Sequence, residues 1–171
     1  YTVDTAYEHC VTQPFYQALN TYAEESTPQW VLDELRRQSQ QVAQQNLQYT
    51  QALIELVSEI RSHDIPVIPY RGPVLASIAY GDIGLRQFGD IDLLVYRDDI
   101  PAVKEILALR GYEPRYWLES TEELTETQER VYTKFCRDYP FQNEAGIEVE
   151  LHWRVVSRDF PTNITMETVW D

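Results

Sequence analysis

Residues 89–95, Gly-Asp-Ile-Asp-Leu-Leu-Val, set two acids two positions apart at the leading end of an apolar run. Leu93, Leu94 and Val95 in succession read as a short buried strand. Side chains alternate between the faces of a strand, so Asp90 and Asp92 project side by side. Two unpaired carboxylates at that spacing repel, and a cation between them removes the cost. Hard divalent ions with oxygen ligands suit such a pair, and Mg²⁺ commonly combines one or two carboxylates with substrate phosphates. A solvated strand end in an acidic chain has the same pattern, so the pair needs further partners before it means a site.

The chain has 171 residues, enough for one domain with a real core or for a domain with an appendage. Hydrophobic residues at 43% and aromatics at 12% exclude an intrinsically disordered chain. Lys plus Arg number 14 against 28 Asp plus Glu, a net charge of -14. That balance disfavours free nucleic acid as the main partner, since phosphate-backbone affinity comes largely from Lys and Arg. Cys10 and Cys136 lie far apart without Cys-x-x-Cys spacing, so neither a zinc site nor a disulfide framework is indicated. No stretch approaches the roughly 18 apolar residues of a membrane span, and a cytoplasmic protein is expected.

Taken in order, residues 13–24 read as a short helix, and Thr27-Pro28 as the cap and first position of a long one reaching Ser62. Leu35, Val42, Tyr49 and Leu56 recur every seven residues, with Leu53 and Ile60 in the second seam, and a break is expected near Gln44 to Asn46. Ile65 to Pro69 reads as a strand. Arg71-Gly72-Pro73 then opens a small helix over 74–80 that Gly81-Asp82 stops. Glycine lets a backbone approach a ligand closely, and a helix start favours an anion, so a triphosphate fits there with Arg71 adding a charge-assisted contact. A helix is expected over 101–110 with Val103, Ile106, Leu107 and Leu109 packing, then a strand over 112–118. Ser120 to Glu123 matches a capping box ahead of a helix to about Phe135. Residues 137–155 read as a hairpin whose second strand turns Ile147, Val149, Leu151 and Trp153 to the core and Glu148, Glu150, His152 and Arg154 the other way.

An acid-bearing strand, a Gly-led helix start upstream and a later strand presenting a carboxylate are the parts a two-metal phosphoryl-transfer site requires. In the stretches Ile65-Pro-Val-Ile-Pro-Tyr-Arg-Gly-Pro73, Tyr80-Gly-Asp82, Leu85-Arg86, Gly89-Asp-Ile-Asp-Leu-Leu-Val95 and Val149-Glu-Leu-His-Trp153 the sequence resembles the DNA polymerase beta-like nucleotidyltransferase superfamily. Within it, the chain is most similar to a bacterial group of uncharacterised nucleotidyltransferases, over about residues 60 to 155.

The resemblance implies an α+β fold: a small mixed twisted sheet flanked by helices, one of them a long N-terminal scaffold helix. It divides the chain into a helical segment over 1–64, a nucleotidyltransferase core over 65–156 and the start of a C-terminal helical region over 157–171. Tyr1 without Met and Thr165 to Asp171, which reads as a helix just begun, suggest a piece of a longer protein. By the same resemblance Asp90, Asp92 and Glu150 are catalytic metal ligands, while Arg71, Gly72, Pro73 and Gly89 hold the nucleotide. His152 and Arg86 stand behind them as orienting residues. Two departures from the group's pattern stand out: Pro73 has no backbone N–H for phosphate, and Arg71 replaces a lysine. The implied activity is transfer of a nucleoside monophosphate from a nucleoside triphosphate such as ATP to a hydroxyl acceptor, with two Mg²⁺ or Mn²⁺ ions. The acceptor is a small molecule or a protein sooner than nucleic acid. The alternative is a noncatalytic nucleotide-binding or protein-interaction module that keeps the fold.

Overall fold

A computed structural model describes residues 2–115, 124–156, 162, 164 and 166–170. In chain order these form α1 (Thr2–Glu8), α2 (Thr12–Tyr22), α3 (Gln29–Ser62), β1 (Val67–Tyr70), α4 (Gly72–Tyr80), β2 (Asp90–Val95) and α5 (Ile100–Leu109). They continue with β3 (Tyr112–Pro114), α6 (Glu126–Phe135), β4 (Asp138–Asn143), β5 (Glu148–His152) and α7 (Met166–Trp170). The result is a small mixed sheet flanked by helices, including the long N-terminal one, as the sequence implies. The chain divides into two units, Tyr1–Ile54 with Tyr70–Gly89, and Glu55–Pro69 with Asp90–Asp171.

In the first unit α3 buries Leu32, Leu35, Val42, Tyr49 and Leu53, so the heptad seam is the packing face. The expected break at Gln44 to Asn46 does not occur: α3 runs unbroken for 34 residues. Asn46 explains why. It is fully buried, and its side-chain Nδ2 donates to the carbonyls of Ile83 (2.6 Å) and Arg86 (2.9 Å), so the donor half of a polar residue that reads as a break is taken up by a distant loop. Tyr49 meets Phe88 edge to face at 6.2 Å, closing the same loop onto the helix. The Thr27 hydroxyl donates back to the Ala23 carbonyl at 2.7 Å. The helix expected over 13–24 is α2, and α1 before it was not anticipated, because only Val3 and Ala6 mark its buried side. Cys10, at φ 56, separates the two.

The second unit holds the sheet, in the order β1-β2-β5-β4-β3. β2 and β5 pair in parallel, and β4 runs antiparallel to both β5 and β3. Ile91, Leu93, Val149, Leu151, Tyr139 and Phe141 share one face and are all buried. Against that face Lys104 of α5 sits 4.8 Å over the Tyr139 ring and pairs with Glu129 of α6 at 2.8 Å. Tyr132 stacks on Tyr139 at 4.9 Å, and Trp153 tilts against it at 5.0 Å. The helices α5 and α6 thus anchor on the side of the sheet opposite Glu150 and His152.

Along α5, Val103, Ile106 and Leu107 are buried as expected, but Leu109 is 88% exposed. Two residues past Leu107 lies the opposite side of a helix with 3.6 residues per turn. The capping box belongs to Thr125 and Gln128, at the start of α6; the box expected at 120–123 and the strand expected over 116–118 lie outside the described residues. The strand expected over 65–69 is β1, shifted to Val67–Tyr70, where Pro69 is tolerated at the edge of the sheet.

Replacing Asn46 with Ala leaves the Ile83 and Arg86 carbonyls without their donor, and the gain in helix propensity offsets only part of the loss. Urea unfolding of Asn46→Ala should show stability lower by about 1–2 kcal/mol with an unchanged slope. An unmoved midpoint would contradict the role given to Asn46.

Candidate metal centre

Parallel pairing sets Asp90 opposite Glu148, Asp92 opposite Glu150 and Leu94 opposite His152. Because alternate residues share a face, Asp90, Asp92, Glu148, Glu150 and His152 all lie on the side of the sheet away from α5 and α6. Antiparallel pairing adds Asp138, opposite His152, to the same face. Asp92 and His152 are buried and Glu150 is about one-third exposed, its side chain at 29%.

The ring nitrogen Nε2 of His152 lies 2.9 Å from Asp92 Oδ1 and 3.0 Å from Glu150 Oε2. One ligand atom from each of Asp92, Glu150 and His152 falls within 4.8 Å of the others. Burial opposes a charged ring, but the hydrogen bonds to Asp92 and Glu150, with the charges of Asp92 and Asp138, outweigh it and raise the His152 pKa above 6.5. Burial likewise raises the Asp138 carboxyl above 3.8; the charge of His152 lowers it, and Glu150 raises it by charge and hydrogen bond. Two carboxylates and an imidazole converging from adjacent strands make a donor set that divalent cations take. The residues present therefore fit a metal ion.

Of the residues singled out in the sequence, the structure brings Asp92 and Glu150 together and puts His152 in contact with both. Asp90 lies one register step away on the same face and is not part of the three-atom group. Glu148 accepts a hydrogen bond from Gln142 at 3.1 Å. Arg71, Gly72, Pro73, Arg86 and Gly89 all belong to the first unit. There Arg71 stands at the start of α4 with φ 58 and ψ -148, a conformation costly for any residue with a side chain, and its guanidinium lies 5.3 Å over the Tyr70 ring. Gly72 and Pro73 are buried in the first turn of α4. Arg86 is half-buried, and its Nη1 has no hydrogen-bond partner among the described residues. At Gly89 a Cβ would meet nothing within 4 Å, so the protein itself does not require glycine there.

Asp138 is the residue that sequence reasoning missed. The signal existed: a turn at Asn143 to Gly146 fixes the hairpin register, and counting back from it pairs Asp138 with His152.

A family model described as an uncharacterised nucleotidyltransferase matches residues 2–171. The chain belongs to this family, within the polymerase beta-like superfamily. No curated protein and no solved structure gives a significant match.

Raised values at His152 and Asp138 mean that the folded chain holds these protons more tightly than the unfolded one. The resulting stability is full below the unfolded values, 3.8 for Asp138 and 6.5 for His152, and is lost as pH rises through the folded ones. Chemical unfolding of the metal-free chain should therefore show stability falling as pH rises above 6.5, and His152→Gln should flatten that slope. A metal-free stability that climbs over the same range would contradict the assignment.

Proposed function

We propose, with family membership as the premise, that this chain transfers a nucleoside monophosphate from a nucleoside triphosphate to a hydroxyl acceptor, with divalent metal ions and release of pyrophosphate. The observation that carries the reading is the meeting of Asp92, Glu150 and His152 on paired strands. In it, Asp90 and Asp92 would hold a divalent ion on the triphosphate side, and Asp92 and Glu150 one on the acceptor side. Bound there, divalent ions neutralise charge on the attacking and leaving oxygens of an in-line displacement.

The protein's own part is positioning. Asp92 and Glu150 are fixed by strand pairing before any substrate arrives, so little reorganisation is left for the reaction itself. Taken by itself, the first unit offers donors of the kind a triphosphate takes: the N–H of Gly72 at the start of α4 and the guanidinium of Arg71. Pro73 contributes φ and no donor, which shifts more of the phosphate contact to Arg71. The strained Arg71 backbone supports this assignment, since such conformations cluster at ligand-holding turns.

The net charge of -14 favours a small molecule or a protein hydroxyl over a nucleic acid as acceptor. No helix among the described residues is long and apolar enough to cross a membrane, which accords with action in the cytoplasm. A second reading, a noncatalytic nucleotide-binding module, draws on the missing Pro73 donor alone.

Thermal unfolding with each nucleoside triphosphate plus Mg²⁺ or Mn²⁺ tests the proposal without knowledge of the acceptor. At about 100 times the dissociation constant, a ligand of the native state adds about 2.7 kcal/mol. For a chain of this size each kcal/mol is about 2–4 °C. A metal-dependent rise of several degrees, absent in Asp92→Asn, is expected; no rise with any nucleotide would sink the reading. Arg71→Gly relieves backbone strain, so the free protein should melt higher by an amount worth about 1 kcal/mol. The same variant should bind triphosphate more weakly, and unchanged binding would remove Arg71 from the site.

A further inference from the structure

The acceptor-side metal position has an unusual third member. His152 is fully buried, shares its strand with Glu150, and directs Nε2 at both Glu150 and Asp92. Bonds of about 2.1 Å at right angles hold neighbouring donors about 3.0 Å apart. The spacings from Nε2, 2.9 Å to Asp92 Oδ1 and 3.0 Å to Glu150 Oε2, match that edge.

Burial and strand pairing on two sides leave the ring little freedom to move aside for an ion that only the carboxylates would hold. In the metal-free chain Nε2 carries the proton shared with the two carboxylates; an ion that enters displaces it, and the ring, with its proton on Nδ1, then presents a lone pair at Nε2. An ion drawn to Asp92 and Glu150 then meets a nitrogen donor as well.

We propose that His152 is itself a ligand at this position, so that the site between Asp92 and Glu150 selects a first-row transition ion of the Mn²⁺ to Zn²⁺ series over Mg²⁺. The inference rests on the metal site of the proposed transferase and deepens it. Mg²⁺ demands oxygen ligands and dehydrates reluctantly. Imidazole adds affinity along the transition series, with Co²⁺ above Mn²⁺. A set of Asp, Glu and His leaves further positions open for a substrate oxygen or water, the form of a catalytic centre more than of a closed structural one. Asp90, one step away with no histidine beside it in register, remains a position of carboxylate character suited to Mg²⁺ on a triphosphate. The two positions would then hold different ions.

The test uses the full chain and the metal ions alone. Calorimetric titration of the wild type and His152→Gln with Mn²⁺, Co²⁺ and Mg²⁺ reads the selectivity. Loss of a ligand should weaken Co²⁺ and Mn²⁺ binding by about 10–100-fold and leave Mg²⁺ within about threefold. A residue that only orients the carboxylates would weaken all three ions alike, which would overturn the proposal. Should His152→Gln fail to fold, pulsed electron paramagnetic resonance of the Mn²⁺-loaded wild type decides without it. Coupling to a histidine nitrogen, changed by ¹⁵N-histidine labelling, supports direct ligation, and its absence rules that out. Nucleotide-dependent Mg²⁺ stabilisation without any nitrogen coupling would overturn this inference and leave the transferase reading standing. Binding of no divalent ion, with or without nucleotide, would overturn both.

Discussion

Parallel pairing of β2 with β5 is the constraint on which the rest of the site depends. It brings Asp92 beside Glu150, and with them two negative charges where burial makes repulsion expensive. His152 answers that cost through contacts of 2.9 and 3.0 Å. Burial opposes a charge on the ring, and the carboxylates favour it more, so the three residues are coupled electrostatically as well as by position. Asp138, reached through the β4–β5 pairing, extends the coupling to a third strand.

The sheet can carry so polar a face because its other face is so thoroughly apolar. Ile91, Leu93, Val149, Leu151, Tyr139 and Phe141 are buried on that side, and α5 and α6 anchor there through Lys104, Glu129 and Tyr132. Period-two alternation thus does two jobs with one strand: each core residue of β5 is flanked by a residue of the candidate metal centre. A one-residue slip of β5 would send Glu150 and His152 into the core and Val149 and Leu151 out of it, a penalty that pins the register and with it the site.

Much of this was legible in the sequence. Strand alternation put Asp90 and Asp92 on one face of their strand and Glu150 and His152 on one face of theirs, and the resemblance joined the two strands. Strand order is a tertiary property that no local pattern carries, so the contact of His152 with Asp92 could not be read. Asp138 was legible in principle from the hairpin turn and was overlooked because Pro140 and Gln142 mask any acidic pattern on β4. The break expected in α3 failed for a related reason: Asn46 looks polar in sequence, but its partners are carbonyls 37 and 40 residues away. Leu109 shows the reverse error, an apolar residue assigned to the core by type when its helical angle turns it to solvent.

The most direct test of the account is an experimental structure of the chain with Mn²⁺ and a non-hydrolysable nucleoside triphosphate, read by anomalous scattering. The account predicts a manganese peak within bonding distance of Asp92 and Glu150, with a triphosphate oxygen on a metal that Asp92 shares. A nucleotide bound elsewhere, or manganese that contacts neither Asp92 nor Glu150, would contradict it.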